Sequence, residues 1–140
     1  MNDGCSGYFP MTDRLKTFEE LECYRLAREL RKDLVRTAKS LPAEERFRLT
    51  DQLIRASRSV TANIAEGFGR HHHNENLQYC RQSRGSLSEC LDHLDAGLDE
   101  GMITDADYSL LRGKLEHVWK VLNGYIAYLR RCAESGVPHV

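Results

Sequence analysis

The sequence predicts an all-α protein, an up-down-up-down antiparallel four-helix bundle. Three observations carry that expectation. Apolar residues recur at steps of three and four in four separate stretches of the 140 residues. The interruptions fall at Pro42, at Gly67 with Gly69, and at Gly101, residues that start or stop helices. The connections are only a few residues long, which makes successive helices antiparallel neighbours. Two of the three prolines, Pro10 and Pro138, lie near the ends, so the middle of the chain is free to be helical.

Residues 1–16 hold Gly4, Ser6, Gly7 and Pro10 without periodicity and are expected to form a disordered N-terminal tail. The bundle is expected over 17–134, followed by a short tail over 135–140. Thr17 to Glu20 has the form of a capping box and starts the first helix. Leu21, Tyr24, Ala27, Leu30, Leu34, Ala38 and Leu41 then mark one buried face. Pro42 is placed at the first position of the second helix, with Glu44 and Glu45 suited to its positive end. That helix buries Leu49, Leu53, Ala56, Val60 and Ile64 and stops at Gly67 and Gly69; a loop from Phe68 to Asn74 follows.

The third helix is expected from about Glu75 to Glu100, with Leu77, Cys80, Leu87, Leu91, Leu94 and Leu98 on its seam and Arg84 interrupting. Gly101 stops it. Thr104, with Asp107 three residues on, caps the fourth helix. Tyr108, Leu111, Leu115, Val118, Leu122, Tyr125, Leu129 and Cys132 give that helix an unbroken bundle seam. Ile103, Trp119, Val121, Ile126 and Tyr128 fall outside the seams, which points to a subunit interface or, for Trp119, to a widened core.

Composition narrows the function classes. The net charge is -1, so bulk charge draws the chain neither to nucleic acid nor to an anionic membrane. The five cysteines are odd in number and form no C-x-x-C pair, which reads as reduced thiols behaving as small apolar residues in a cytoplasmic protein. No signal peptide is expected, and no apolar run approaches the roughly 18 residues that span a bilayer.

The second helix carries a polar row beside its apolar face: Gln52, Arg55, Ser59, Asn63 and Glu66, spaced three, four, four and three. A solvated face would be dominated by Lys and Glu, so a hydrogen-bonded row inside the bundle or between subunits is as good a reading as a coincidental polar flank. The run from Gln52 through Arg55, Ala56, Ser59, Asn63 and Ile64 to Glu66 and Gly67 closely resembles the four helix bundle protein family, also called 23S rRNA intervening-sequence proteins. The resemblance extends to Phe18, Leu21, Tyr24 and Ala27, to Leu41, Pro42, Glu44 and Glu45, and to Gly85, Ser86, Leu87 and Glu89. It covers residues 18 to about 130, with Ser83 as a departure from an expected alanine. It implies an all-helical bundle that assembles as a ring-shaped homo-pentamer, in a family with no established enzymatic activity. A related group of retroelement accessory proteins is strongly basic, and the net charge of -1 departs from it.

In antiparallel register, Arg55 is expected level with Gly85 and Ser86 and paired with Glu89, with Gly85 giving room for close approach of the helices. Charge is unevenly spread. Arg25, Arg28, Lys32, Arg36 and Lys39 form a strip on the first helix that could track phosphates, although an ordinary solvated face is the preferred reading, since Glu22, Glu29 and Asp33 lie close by. From Gly85 to Asp107 there are acids but no Lys or Arg, as suits a basic surface of a neighbouring subunit.

His71, His72 and His73 are adjacent and cannot converge on one ion, so no metal site and no cofactor are expected. No Glu-x-x-His pattern of a di-iron bundle occurs. The spacing from Arg112 to His117 fits an RNase of the HEPN kind, with Gly113 where a polar residue is usual. The expected function is thus a non-catalytic, self-assembling scaffold or adaptor. Its expected partners are further copies of itself and RNA or a ribonucleoprotein, with no membrane and no small-molecule substrate. RNA cleavage through Arg112 and His117 is the alternative.

Overall fold

The computed structural model describes residues 15–136. The expected tails over 1–16 and 135–140 therefore lie mostly outside the described residues. Four α-helices follow one another: α1 Glu22–Lys39, α2 Leu49–Gly69, α3 His73–Asp99 and α4 Asp105–Ser135. Two 3-10 turns, Phe18–Glu20 and Ala43–Glu45, precede α1 and α2, and no strand occurs among the described residues. Backbone contacts join α1 to α2, α2 to α3, α3 to α4 and α4 to α1 around one core, while the α1–α3 and α2–α4 backbones do not approach. The α2–α3 contact is the most extensive.

Local chemistry sets the helix ends. The capping box is present: Thr17 Oγ1 accepts from the Glu19 amide at 3.2 Å, and Glu20 Oε1 accepts from the Lys16 and Thr17 amides. It caps the 3-10 turn, not α1, because Leu21 is extended (φ -71°, ψ 132°) and α1 restarts after it. Pro42 likewise precedes the second 3-10 turn instead of opening α2. Glu45 supplies the α2 cap, its Oε1 accepting from the Leu49 amide at 3.2 Å. At the end of α3, Gly101 takes φ 76°, and the Met102 and Ile103 amides bond back to the Gly97 carbonyl. Thr104 caps α4 through the Asp107 amide at 3.1 Å.

All seven residues expected on the first seam, from Leu21 just before α1 to Leu41 just after it, are buried, as are the five expected on α2. On α4 the seam is buried from Leu111 to Cys132, with Tyr108 half-buried. Ile103, Ile126 and Tyr128 are also buried within the chain, and Trp119 and Val121 pack half-buried against the core, so the apolar excess expected on the outside is largely used internally.

α3 departs most from the periodicity. Its buried line is Asn76, Cys80, Ser83, Leu87, Cys90, Leu94 and Gly97, whereas Leu91 and Leu98 are only half-buried. The reason is the closeness of α2. Ser83 Oγ donates to the Val60 carbonyl at 2.7 Å, and a Cβ on Gly67 would sit 2.9 Å from Tyr79 Cβ and 3.0 Å from the Asn76 carbonyl oxygen. Backbones this close exclude large side chains from the line between them.

Cys23, Cys80 and Cys90 are buried free thiols. Cys132 is disulfide-bonded, which corrects the expectation of uniformly reduced cysteines, since cysteine spacing alone carries no pairing information. Burial pushes Cys23 and Cys90 up to about 12 and Cys80 well above the usual thiol range. At neutral pH these three are protonated and shielded. A brief iodoacetamide pulse, followed by peptide mass mapping, is expected to leave them unmodified in the native chain and alkylated in denaturant. Rapid native alkylation of Cys80 would contradict the packing described.

Candidate functional site

The polar row of α2 is split by the structure. Ser59 and Asn63 lie half-buried at the α2–α3 seam, while Gln52, Arg55 and Glu66 are exposed. Ser59 Oγ meets Ser86 Oγ at 2.8 Å, and Asn63 Nδ2 donates to the Ser59 carbonyl at 2.9 Å and to Ser59 Oγ at 3.0 Å. Ser86 Oγ in turn reaches the Gln82 carbonyl at 3.2 Å. These short side chains bridge two helices and leave the outer part of the row to solvent.

The expected Arg55–Glu89 pair does not form. Arg55 Nη1 lies 3.5 Å from Asp51 Oδ2 on its own helix, and Glu89 Oε2 lies 3.3 Å from His93 Nε2. Ser59, one helical turn beyond Arg55, is the residue level with Ser86. Gly85 is not a close-approach glycine either, because it is exposed and a Cβ there meets nothing within 4 Å. The glycines that admit neighbours are Gly67, against Asn76 and Tyr79, and Gly97, over which Ile103 folds.

Two residues that the periodicity passed over organise this seam. Asn76 is fully buried and donates from Nδ2 to Tyr125 Oη at 3.0 Å, tying α3 to α4, while its Oδ1 accepts from Cys80 Sγ at 3.5 Å. The signal was its place four residues before Cys80, in line with Ser83 and Leu87. Arg70 closes the top of the seam: its Nε pairs with Glu66 Oε2 at 3.0 Å, its Nη2 donates to Tyr79 Oη at 2.8 Å, and its guanidinium sits 5.1 Å above the Tyr79 ring.

The basic strip of α1 is exposed along its whole length. Lys32 pairs with Glu29 at 3.2 Å and Arg36 with Asp33 at 2.8 Å. Arg25, Arg28 and Lys39 make no salt bridge within the described residues. Asp33 also takes Lys114 Nζ of α4 at 2.6 Å. Burial alone would raise its carboxyl, but the bonds from Lys114 and Arg36 outweigh this and hold it below the usual range.

Arg112 and His117 lie five residues apart on α4, about 140° around the helix axis. Arg112 donates to Tyr108 Oη at 2.8 Å and to Glu116 Oε2 at 3.2 Å. Tyr108 is itself hydrogen-bonded to Asp95. His117 lines a cleft that faces α1 and does not include Arg112. The described residues contain no group of three or more His, Cys, Asp or Glu arranged to hold a metal ion, and no helix among them is long and apolar enough to cross a membrane.

Fold and seam together define the class: an all-helical protein of four helices, with small polar side chains clasped between the second and third. The chain belongs to the 23S rRNA-intervening sequence protein family, whose model matches residues 19–124. Comparison with curated proteins returns no match.

Proposed function

We propose that this protein is a non-catalytic scaffold or adaptor, an up-down-up-down antiparallel bundle that assembles with copies of itself into a closed ring, a homo-pentamer, and associates with RNA or a ribonucleoprotein in the cytoplasm. The antiparallel course is supported by contacts that run in opposite senses along neighbouring helices. Val60 pairs with Ser83 and Gly67 approaches Asn76, while Asn76 bonds Tyr125 and Asp95 bonds Tyr108.

The observation that carries the assembly is charge separation across the bundle. The exposed cations of α1 occupy one corner, and the exposed Glu89, Asp92 and Asp99 of α3, with Glu100 just after it, occupy the corner diagonal to it. Such a chain offers each neighbour the opposite charge. Odd-numbered cyclic rings need head-to-tail contacts of this kind.

Light scattering at micromolar concentration is the test of assembly, with a mass five times the 16.1 kDa chain expected and a monomer refuting it. For RNA, the contact is expected to be weak, sequence-independent and steeply salt-dependent. Replacing Arg25, Arg28 and Lys39 with glutamine should lower RNA affinity about uniformly across sequences and flatten the salt slope. Unchanged RNA affinity in that variant would mark the strip as ordinary solvated surface.

A further inference from the structure

Two large hydrophobic residues are strongly exposed among the described residues, Phe47 at 82% and Leu110 at 60%. Single exposed apolar residues are common and need no partner. These two differ in having matching surroundings. Phe47 lies in the connection before α2, between Arg46 and Arg48, and the Arg46 guanidinium sits 5.1 Å from its ring. It is an aromatic knob in a cationic collar.

Leu110 stands on the rim of a cleft of about 520 Å³ between α1 and α4. Leu26, Leu30 and Val118 give the cleft apolar walls, Glu29 and Asp33 place carboxylates on its α1 side, and Lys114 and His117 line its α4 side. A second opening, also bordered by Leu110 and Asp33, continues the groove toward the start of α4. Gly113 lines the cleft in mid-helix, where glycine weakens a helix, and a Cβ there meets nothing within 4 Å. Packing within its own chain therefore does not account for that glycine. It does leave the floor of the cleft open to a guest side chain.

We propose that Phe47 of one copy seats in the α1–α4 cleft of the next, over Gly113 and beside Leu110, with Arg46 and Arg48 facing Glu29 and Asp33. This rests on the self-assembly proposed above and names the contact that makes it. A second copy is the occupant because the cleft is walled by aliphatic side chains with open room over Gly113, and this chain displays a large aromatic side chain that its own fold leaves in solvent. Glu29 and Asp33 are already paired within the chain, with Lys32 and with Lys114 and Arg36, so the apolar anchor carries the contact and the arginines add to these pairs at its rim. Knob and cleft are different surfaces of the chain, so the contact is head-to-tail, the type that closes a ring. A buried aromatic anchor with arginines beside it is also the residue set that dominates interface energetics.

The test uses two variants of the full chain. Phe47→Ser removes the knob and keeps the cleft. Gly113→Trp fills the cleft and keeps the knob, in a position with room for it. Each should sediment as a monomer under conditions where the parent is assembled, with its dissociation constant raised by about 30-fold or more. Circular dichroism melting should show both still folded; if Gly113→Trp is not, Leu110→Glu takes its place. An equimolar mixture of the two should form heterodimers, because one intact knob then meets one intact cleft. Variants that keep the parent mass overturn the contact while leaving assembly standing, whether the cleft is empty or filled by another segment. Monomeric variants that fail to pair on mixing also overturn it. A monomeric parent refutes the assembly itself.

Discussion

Gly67→Ala is expected to destabilise the chain by about 1–3 kcal/mol, and Gly67→Val by more. The added Cβ would lie 2.7 Å from Asn76 Oδ1, 2.9 Å from Tyr79 Cβ and 3.0 Å from the Asn76 carbonyl oxygen. None of these is the free end of a flexible side chain. Two belong to buried Asn76, and the third is fixed by the α3 backbone, so the clash is relieved only by moving α2 away from α3. That movement would also stretch the bridges from Ser83 to Val60 and from Ser59 to Ser86 along the same seam. Gly85→Ala provides the control. It sits mid-helix in open space, so alanine removes a helix-weakening residue and should stabilise by roughly 0.5–1 kcal/mol. Urea midpoints of the two variants should move in opposite directions. A Gly67→Ala chain that unfolds at the parent's midpoint would show that the helices are not held this close.

Tyr125→Phe is expected to cost about 1–3 kcal/mol, through the partner it leaves behind rather than through lost packing. The phenyl ring keeps nearly all the volume, but Asn76 Nδ2 loses its acceptor in a fully buried site. Replacing both residues removes the stranded donor. The double variant Asn76→Leu with Tyr125→Phe should therefore be clearly less harmful than the sum of the two single changes. Because the atom nearest to a Cβ on Gly67 is Asn76 Oδ1, Gly67→Ala and Asn76→Leu should also be non-additive. Thermal or urea melts of the two cycles decide this. Strict additivity for Asn76 and Tyr125 would mean that their bond adds nothing beyond its parts.

Where large apolar residues face the core, their spacing in the sequence predicts their burial. Leu30, Leu34, Leu53, Ile64, Leu115 and Leu122 are buried where their spacing placed them. The seam of α3 differs from its apolar periodicity because hydrophobicity gives no weight to Asn76, Ser83 or Gly97. Those residues are buried because they are small or can bond across a short gap. The register between α2 and α3 slipped by about a turn for a local reason. α2 continues through Gly69, and the reversal is made at His71, whose φ is 57°, so α3 opens at His73 instead of Glu75. With the turn centred later, Ser59 and not Arg55 meets Ser86; Arg55 is then about level with Glu89, but both side chains are exposed and find partners on their own helices.

By itself, then, the sequence determined that the chain is all-helical, that it has four helices, roughly where three of the breaks fall, and which family it resembles. These follow from local rules: helical period, capping side chains, and glycine or proline at the ends. Only the tertiary structure decided that Gly67 and Gly97 are packing positions while Gly85 is not, that Asn76 joins three helices' worth of packing through one buried amide, and that Ile126 and Tyr128 serve the core. Each of these depends on how near two helices lie and how each is rotated about its axis. Spacing along one chain segment does not contain those two quantities, because they are fixed by the side chains of the helix opposite.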